Sequence, residues 1–297
     1  MKILNTTPPY NLFGLEEQNY KTSKVVAIPI PYDSTVTYKS GARDGPRAII
    51  EASRNMELYS EEFNGDISKA GIYTTEELAP DFSSPEKTVE RIEKEVGLVL
   101  DDGKLPLLIG GEHTVALGSI KALASRNKKF TVIHFDAHSD SRDELFGTKY
   151  CHACVAARAR ELADSCYSVG VRSIDEQSAK KYPDSILYMK DMQNMSTQDI
   201  INAIRVNTLK DIYITVDLDV LDPSEMPSVG TPEPNGLTYS KLKDILRGSM
   251  MAKDVLGIDF TELSPIPGLI APNYLAAKLI YSAIGSIWSS QPKSSIV

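Results

Sequence analysis

The chain has four histidines, His113, His134, His138 and His152, and all of them fall within one stretch of 40 residues. In the run Thr131-Val132-Ile133-His134-Phe135-Asp136-Ala137-His138-Ser139-Asp140 an apolar stretch gives way to Asp136, His138 and Asp140 at alternate positions. Successive side chains of a strand point to opposite faces, so these three project to one side if the extended geometry persists to the strand end. A second apolar run ends in Asp217 and Asp219, again two residues apart, and a third, 105–109, exits through Gly110-Gly111-Glu112-His113. Paired glycines permit a tight turn that aims the following histidine. Brought into one cleft, four carboxylates and two imidazoles must take up protons or bind cations, because repulsion and desolvation penalise them otherwise. Two divalent ions match the charge of Asp136, Asp140, Asp217 and Asp219. An oxygen-rich set with two imidazoles and no thiolate suits manganese better than zinc or copper. The Asp217–Asp219 pair and the glycine turn are weak signals alone, since an Asp-x-Asp often caps a turn and a Gly-Gly turn is common, whereas a buried strand seldom ends in three potential ligands by accident. Their joint occurrence, each after an apolar run, carries the weight.

Positioning such groups requires several strand ends on one edge. Short apolar runs with little alternation, at 24–30, 105–109, 130–135, 167–171, 186–189, 211–216 and 255–258, predict strands covered on both faces. Helical patterns lie at 46–58, 85–100, 115–125, 153–163, 197–206, 239–251 and 273–288, with Pro46 and Pro85 in first-turn positions and Ser84 as a cap. The alternation predicts a three-layer α/β/α fold with a mostly parallel central sheet, and no repeat or composition shift divides residues 1–297 into more than one domain. In open α/β sheets ligands bind outside the carboxyl ends of the strands, so residues just after a strand gain functional weight.

The chain has 297 residues, of which 42% are hydrophobic and 24% charged, an ordinary globular composition. Its 32 basic and 40 acidic residues give a net charge of -8, which argues against nucleic acid or an anionic membrane and for a small cationic partner. No apolar run reaches the roughly 18 residues of a membrane span, and no apolar segment precedes Pro8-Pro9 as a signal peptide would require. Three cysteines, Cys151, Cys154 and Cys166, are too few and odd in number for a disulfide framework, which agrees with a cytoplasmic location.

The motifs together resemble those of the ureohydrolase family, which includes arginases and agmatinases. They are Gly-Gly-Glu-His-Thr at 110–114, Asp-Ala-His-Ser-Asp at 136–140, Asp-Leu-Asp-Val-Leu-Asp-Pro at 217–223, Gly-Thr-Pro-Glu-Pro at 230–234 and Asp-Phe-Thr-Glu-Leu-Ser-Pro at 259–265. The resemblance implies an arginase-like fold and two Mn²⁺ ions per subunit. His113, Asp136, Asp140 and Asp217 would hold one ion, and Asp136, His138, Asp217 and Asp219 the other, with Asp136 and Asp217 shared. It further implies a hydroxide between the metals as nucleophile, with Asp140 orienting it, His152 as the proton shuttle to the leaving amine, and Glu262 and Thr231 as substrate-binding residues. A carboxylate such as Glu262 can accept the N–H groups of a guanidinium in a bidentate fork. Glu112 departs from the commoner Asp of the family turn; since it is not a ligand, only packing behind the site is expected to change. His134, one pleat before Asp136, is expected to support the ligands or the core, and Cys151 and Cys154 to be small buried residues.

Substrate choice turns on the far end of the guanidino compound. Arginases carry a Ser-Gly-Asn element after the Asp-Ala-His-x-Asp motif that recognises amino-acid groups; residues 141–150 here have none and resemble agmatinases instead. The expected reaction is hydrolysis of agmatine to putrescine and urea, a step of polyamine synthesis, with Asp143 or Glu144 favouring the dication and Arg142 suited to an acid-bearing compound. The alternatives are arginase, guanidinobutyrase or formiminoglutamase activity, or an inactive metal-binding homologue. Binuclear phosphoesterases also mix Asp and His at strand ends, but they need further histidines late in the chain, and none follows His152. The resemblance also implies a homo-oligomer, trimer or hexamer.

Overall fold

The structure, a computed structural model, describes residues 7–126 and 128–290. Most of the N-terminal stretch on which the signal-peptide reading rests lies outside the described residues. The elements in chain order are β1 (Val25–Ile30), α1 (Gly45–Ser53), β2 (Tyr59–Ser60), β3 (Gly65–Asp66), β4 (Ile72–Thr74), α2 (Pro85–Asp101), β5 (Leu105–Gly110), α3 (Ala116–Ala124), β6 (Thr131–Phe135) and α4 (Val155–Leu162). They continue with β7 (Ser165–Val171), α5 (Glu176–Lys181), β8 (Ile186–Tyr188), α6 (Met189–Met192), α7 (Thr197–Val206), β9 (Asp211–Asp217), α8 (Tyr239–Met250), β10 (Asp254–Thr261) and α9 (Ala271–Ser290).

Eight strands form one sheet in the order β4-β1-β5-β10-β9-β6-β7-β8, and every neighbouring pair is parallel. Strands β2 and β3 form a separate antiparallel pair. Alternate strand residues explain the three layers. Ile133, Phe135, Ile214, Val216, Ile258 and Phe260 pack with Ile49 of α1, Ile200 of α7, Leu242 of α8 and Ile284 of α9. On the opposite face Val132 and Tyr213 meet Leu117 and Ile120 of α3 and Ala156 of α4, and Ile28 and Leu108 meet Ile92 and Val96 of α2. Each such buried side chain contributes about 1.5–3 kcal/mol relative to exposure, so both faces must be covered for the sheet to form. Among the described residues no helix is long and apolar enough to cross a membrane.

The predicted strands and long helices are all present with adjusted ends. Ser84 caps α2 by accepting from Lys87 N at 3.2 Å, and proline occupies the first turn of both α1 and α2. The helix expected over 46–58 stops at Ser53, and the chain beyond it leads to β2, with the Leu58 carbonyl accepting from the Tyr281 hydroxyl of α9. Met189, expected to end a strand, begins α6. The edge strand β4, the β2–β3 pair, α5 and α6 are too short to show a period in sequence and were not anticipated. Strands β9 and β10 run further than expected, to Asp217 and Thr261, and so deliver the residues that matter next.

The chain leaves β5, crosses to β6, goes outward through β7 and β8, and returns to fill the two positions left between them with β9 and β10. The four central strands therefore end side by side, at the reversal of strand order where such sheets bind ligands.

Candidate metal centre

Asp136, His138 and Asp140 follow β6, Asp217 ends β9, Asp219 is in the turn after it, and His113 follows β5 through the glycine turn. All six side chains converge. His113 Nδ1 lies 3.1 Å from Asp136 Oδ2, 3.1 Å from Asp140 Oδ2 and 3.3 Å from Asp217 Oδ2. His138 Nδ1 lies 2.8 Å from Asp219 Oδ2 and 3.5 Å from Asp136 Oδ1. Asp136 thus offers one oxygen to each of two adjoining groups.

Backbone amides set this aim. His138 N donates to Asp136 Oδ1 at 2.5 Å, Asp219 N to Asp217 Oδ1 at 2.8 Å, and Ala137 N to Asp219 Oδ1 at 3.0 Å. Each bond fixes one carboxylate oxygen; for Asp217 and Asp219 the other is turned to the centre. His113 is held from behind: its Nε2 is 2.8 Å from Thr215 Oγ1, which donates to Asp259 Oδ1 at 2.7 Å, while the Tyr213 hydroxyl donates to Asp259 Oδ2 at 2.6 Å. Thr215 has one proton and gives it to the carboxylate, so it accepts from Nε2–H, which leaves Nδ1 as the ring atom turned to the carboxylates and to any ion that takes the place of its proton.

Two observations show that the residues fit metal ions. His113 Nδ1 and Asp136 Oδ2, both fully buried, have no hydrogen-bond partner although oxygens lie near them, so they converge on a point without being aligned on each other. Donor atoms of His113, His134, Asp136 and Asp140 lie within 4.8 Å of one another, as do those of Asp136, His138 and Asp219. His134 is more intimate than the sequence suggests. Its Nε2 is 2.9 Å from Asp136 Oδ2, its Nδ1 is 3.1 Å from Ser168 Oγ, and its ring stacks on His113 at 5.1 Å.

Charge crowding is plain in the ionisation of the side chains. Burial, then the charges of Asp219 and Asp136, push Asp217 well above the usual carboxylate range. Burial and Asp136 also raise Asp219. Burial opposes a charge on Asp136 too, but the imidazoles of His134, His113 and His138 outweigh it and hold that carboxyl well down. For the imidazoles burial works downward and loses: contacts with Asp136, Asp140 and Asp217 raise His113 well above the ordinary value, and Asp219 with Asp136 pushes His138 up to about 12. As side chains alone, the cluster balances its charge with protons, the alternative to cations expected from its composition.

A cleft of about 500 Å³ opens onto this cluster, lined among others by His152, Asp140, Glu262, Thr231 and Asp175. Glu262, 8% exposed, accepts from His113 N at 2.6 Å through Oε1. Gly230 faces its Oε2: a β-carbon there would come within 3.8 Å of that oxygen and within 3.0 Å of the Lys39 carbonyl, so glycine keeps the space open. Burial and then Glu112 push Glu262 well above the usual range, so a cation arriving in the cleft favours its ionised form. Glu262 (φ 68°) and Asp140 (φ 44°) both hold the left-handed backbone that side chains other than glycine resist, a strain that collects at functional sites.

Two expectations about the rim need correction. Asp143 and Glu144 are exposed and do not line the cleft; Asp143 is drawn away to Arg158 Nη2 at 2.7 Å. Asp175 and Arg142 line it instead. Glu112 does more than pack: its carboxylate is fully buried and accepts from Thr35 N, Thr35 Oγ1 and Thr114 Oγ1, each at 2.6 Å. Thr35 in turn contacts His152, with Nδ1 at 3.2 Å. Thr35, Thr37, Thr215 and Asp259 escaped sequence reasoning, although the loop carrying Thr35 follows β1 and the strand-end rule applied to it as well.

A parallel α/β sheet with a buried carboxylate–imidazole cluster at the reversal point of its strand order defines a candidate metal site, and known proteins give its class. Residues 23–285 match the arginase family, to which the chain belongs. It is 35% identical to N(1)-aminopropylagmatine ureohydrolase of Synechocystis sp. over 93% of this chain and 92% of that protein. It is 30% identical to the agmatinase of Halalkalibacterium halodurans over 86% of this chain and 88% of that one. The crystal structure of agmatine ureohydrolase of Thermoplasma volcanium superposes with a TM-score of 0.84 at 30% identity, over 94% of each chain. Arginase-family ureohydrolases are hydrolases acting on guanidino groups, and this chain is an enzyme of that kind.

Proposed function

We propose that the enzyme is a binuclear manganese ureohydrolase that releases urea from agmatine, leaving putrescine. The observation that carries the reading is Asp136, fully buried, with one oxygen facing the His113 group and the other facing His138 and Asp219. His113, Asp136, Asp140 and Asp217 would hold one ion and Asp136, His138, Asp217 and Asp219 the other, with Asp136 and Asp217 common to both sets. When bound, two such metals supply an activated water for attack on the poorly electrophilic guanidinium carbon. The chain's own residues do the rest. Asp140 orients the attacking water, Glu262 and Thr231 hold the guanidinium at the base of the cleft, and His152 gives a proton to the leaving amine.

The N(1)-aminopropyl derivative of agmatine is a second reading, favoured by the name of the Synechocystis relative, 35% identical over 93% of this chain. A cleft of about 500 Å³ lined at its wall by Asp175 accommodates either cation. Arg142, which also lines it, is the feature that would suit an acid-bearing compound. Urea or formamide release is measured with agmatine, its aminopropyl derivative, arginine, 4-guanidinobutyrate and formiminoglutamate, with manganese present. Brisk turnover of agmatine is expected; no turnover of agmatine beside brisk turnover of another compound refutes the first choice. Chelation abolishes activity and manganese restores it, and activity that survives complete metal removal rules out the mechanism. We read residues 1–297 as one catalytic domain, since one sheet runs from residue 25 to residue 261. A cytoplasmic setting is supported by the free thiols of Cys151, Cys154 and Cys166, and a trimeric or hexameric assembly is tested by light scattering.

A further inference from the structure

We propose that Glu112 and Thr35 are positioning residues that lock His152 in the tautomer with its proton on Nδ1, so that Nε2 is the atom that exchanges protons in the cleft. The inference rests on the reading of His152 as the shuttle. It comes from counting protons and lone pairs in a small buried network. Glu112 is fully buried and Thr35 is 8% exposed, so water does not substitute freely for their partners.

Three donors converge on the two oxygens of Glu112, so both oxygens act as acceptors. Glu112 Oε2 takes Thr35 N–H at 2.6 Å, and Oε1 takes two hydroxyls, Thr35 Oγ1 and Thr114 Oγ1, each at 2.6 Å. At these lengths the single proton of each hydroxyl is committed to the carboxylate. Thr35 Oγ1 then has only acceptor capacity left. One lone pair receives the backbone N–H of His152 at 3.1 Å. The other faces His152 Nδ1 at 3.2 Å, and two lone pairs facing one another would repel, so Nδ1 must carry a hydrogen. Thr114 Oγ1, 3.4 Å from Thr35 Oγ1, offers no competing donor because its proton is already with Glu112.

The neutral ring therefore has its lone pair on Nε2. That atom is 3.4 Å from Thr37 Oγ1, and both residues line the cleft. Proton uptake occurs at Nε2 and release to the leaving amine occurs from the same atom, while the Nδ1–H bond persists through both protonation states. Thr35 also fixes where the ring stands, since it bonds the backbone and the imidazole of the same residue. The network gives Glu112 a reason for its length, as its two oxygens bracket Thr35 N and Oγ1 at equal distances.

The test is the tautomer itself. Nitrogen-15 NMR of the histidine side chains is recorded on enzyme loaded with diamagnetic zinc, at a pH where the rings are neutral, with His152 assigned by the signals lost in His152→Gln. The wild type is expected to show Nδ1–H at His152. Thr35→Val, which keeps shape but removes the acceptor, is expected to shift His152 toward Nε2–H, and Thr35→Ser to restore Nδ1–H. In the manganese enzyme Thr35→Val should lower kcat by about 100-fold and alter the pH profile, with KM and metal content nearly unchanged. Nε2–H in the wild type overturns the inference with no variant needed, which covers the case in which Thr35→Val fails to fold. Retention of Nδ1–H in Thr35→Val overturns it as well, whatever happens to turnover. If His152→Gln retains full activity, the shuttle reading fails instead, and the tautomer result still stands or falls separately.

Discussion

Gly111 is the narrowest joint in the site, and Gly111→Ala tests whether the glycine turn is what holds it together. A β-carbon there would lie 1.9 Å from the Tyr32 carbonyl oxygen and 2.8 Å from Tyr32 N, both backbone atoms that cannot swing away. Real β-carbons do not approach closer than about 3.0 Å, so the two segments must part by roughly 1.1 Å. The bond from Glu112 N to Tyr32 O, 2.7 Å long, would open to about 3.8 Å and cease to exist. Losing a buried hydrogen bond costs about 1–3 kcal/mol and overpacking about as much again, so the expected destabilisation is about 2–6 kcal/mol. The displacement does not stay local. Gly111 O also accepts from Glu262 N at 2.8 Å, and Glu112 leads directly to Thr35 and His113. A shift near 1 Å in these groups lowers turnover by about 100-fold. Urea denaturation followed by circular dichroism reads the first quantity, and urea release under saturating agmatine reads the second. A variant within about 0.5 kcal/mol of wild type and fully active would refute the reasoning.

Asp136→Ala removes the shared carboxylate and is expected to lose both metals, whereas His152→Ala keeps them and slows turnover by about 100-fold; elemental analysis beside kinetics separates the two, and equal metal loss contradicts the assigned roles. Thr215→Val leaves His113 Nε2–H and Asp259 without their connecting hydroxyl, and manganese affinity measured by titration should fall about 10–100-fold. Metal affinity should also rise with pH. His113 and His138 are both pushed upward by the carboxylates, so near neutrality each holds a proton that an ion must displace, and acid works against binding. Two displaced protons give about 100-fold in affinity per pH unit, and calorimetry in buffers of different ionisation enthalpy counts the protons; no proton release would count against this reading.

The part of the site written in strands was legible before the structure. Apolar runs of unbroken character marked which elements would lie in the interior, whereas β6 ends at Phe135 and Asp136, His138 and Asp140 converge through the turn beyond it, with Asp140 in the left-handed region, not through strand alternation. What escaped has a physical reason in each case. Thr35 meets His152 across 117 residues from a loop with no period, and nothing local marks which hydroxyl closes the network. Asp143 read as a rim carboxylate because its partner, Arg158, is on a helix that faces it only after folding. His134 was placed behind the ligands by its strand position, but strand parity does not show that its ring would lie against His113 and reach Asp136 as closely as the ligands do. Short edge elements such as β4 form because a neighbour is already there to pair with, a condition no window of sequence contains.

The strand order has a bearing on how the enzyme comes into being. His113, Asp136, His138, Asp140 and His152 all precede α7, while Asp217, Asp219 and Glu262 arrive on β9 and β10, the last two strands made, which slot between β5 and β6. A chain that extends only through residue 206 holds four of the six proposed ligands, His113, Asp136, His138 and Asp140, on a sheet with an open seam, and lacks Asp217, one of the shared carboxylate pair. Closing that seam is a long-range, late event in a parallel sheet, the slowest kind of pairing. Capture of metal is thereby deferred until synthesis is nearly complete, so that the ion seals a finished sheet rather than pinning an unfinished one.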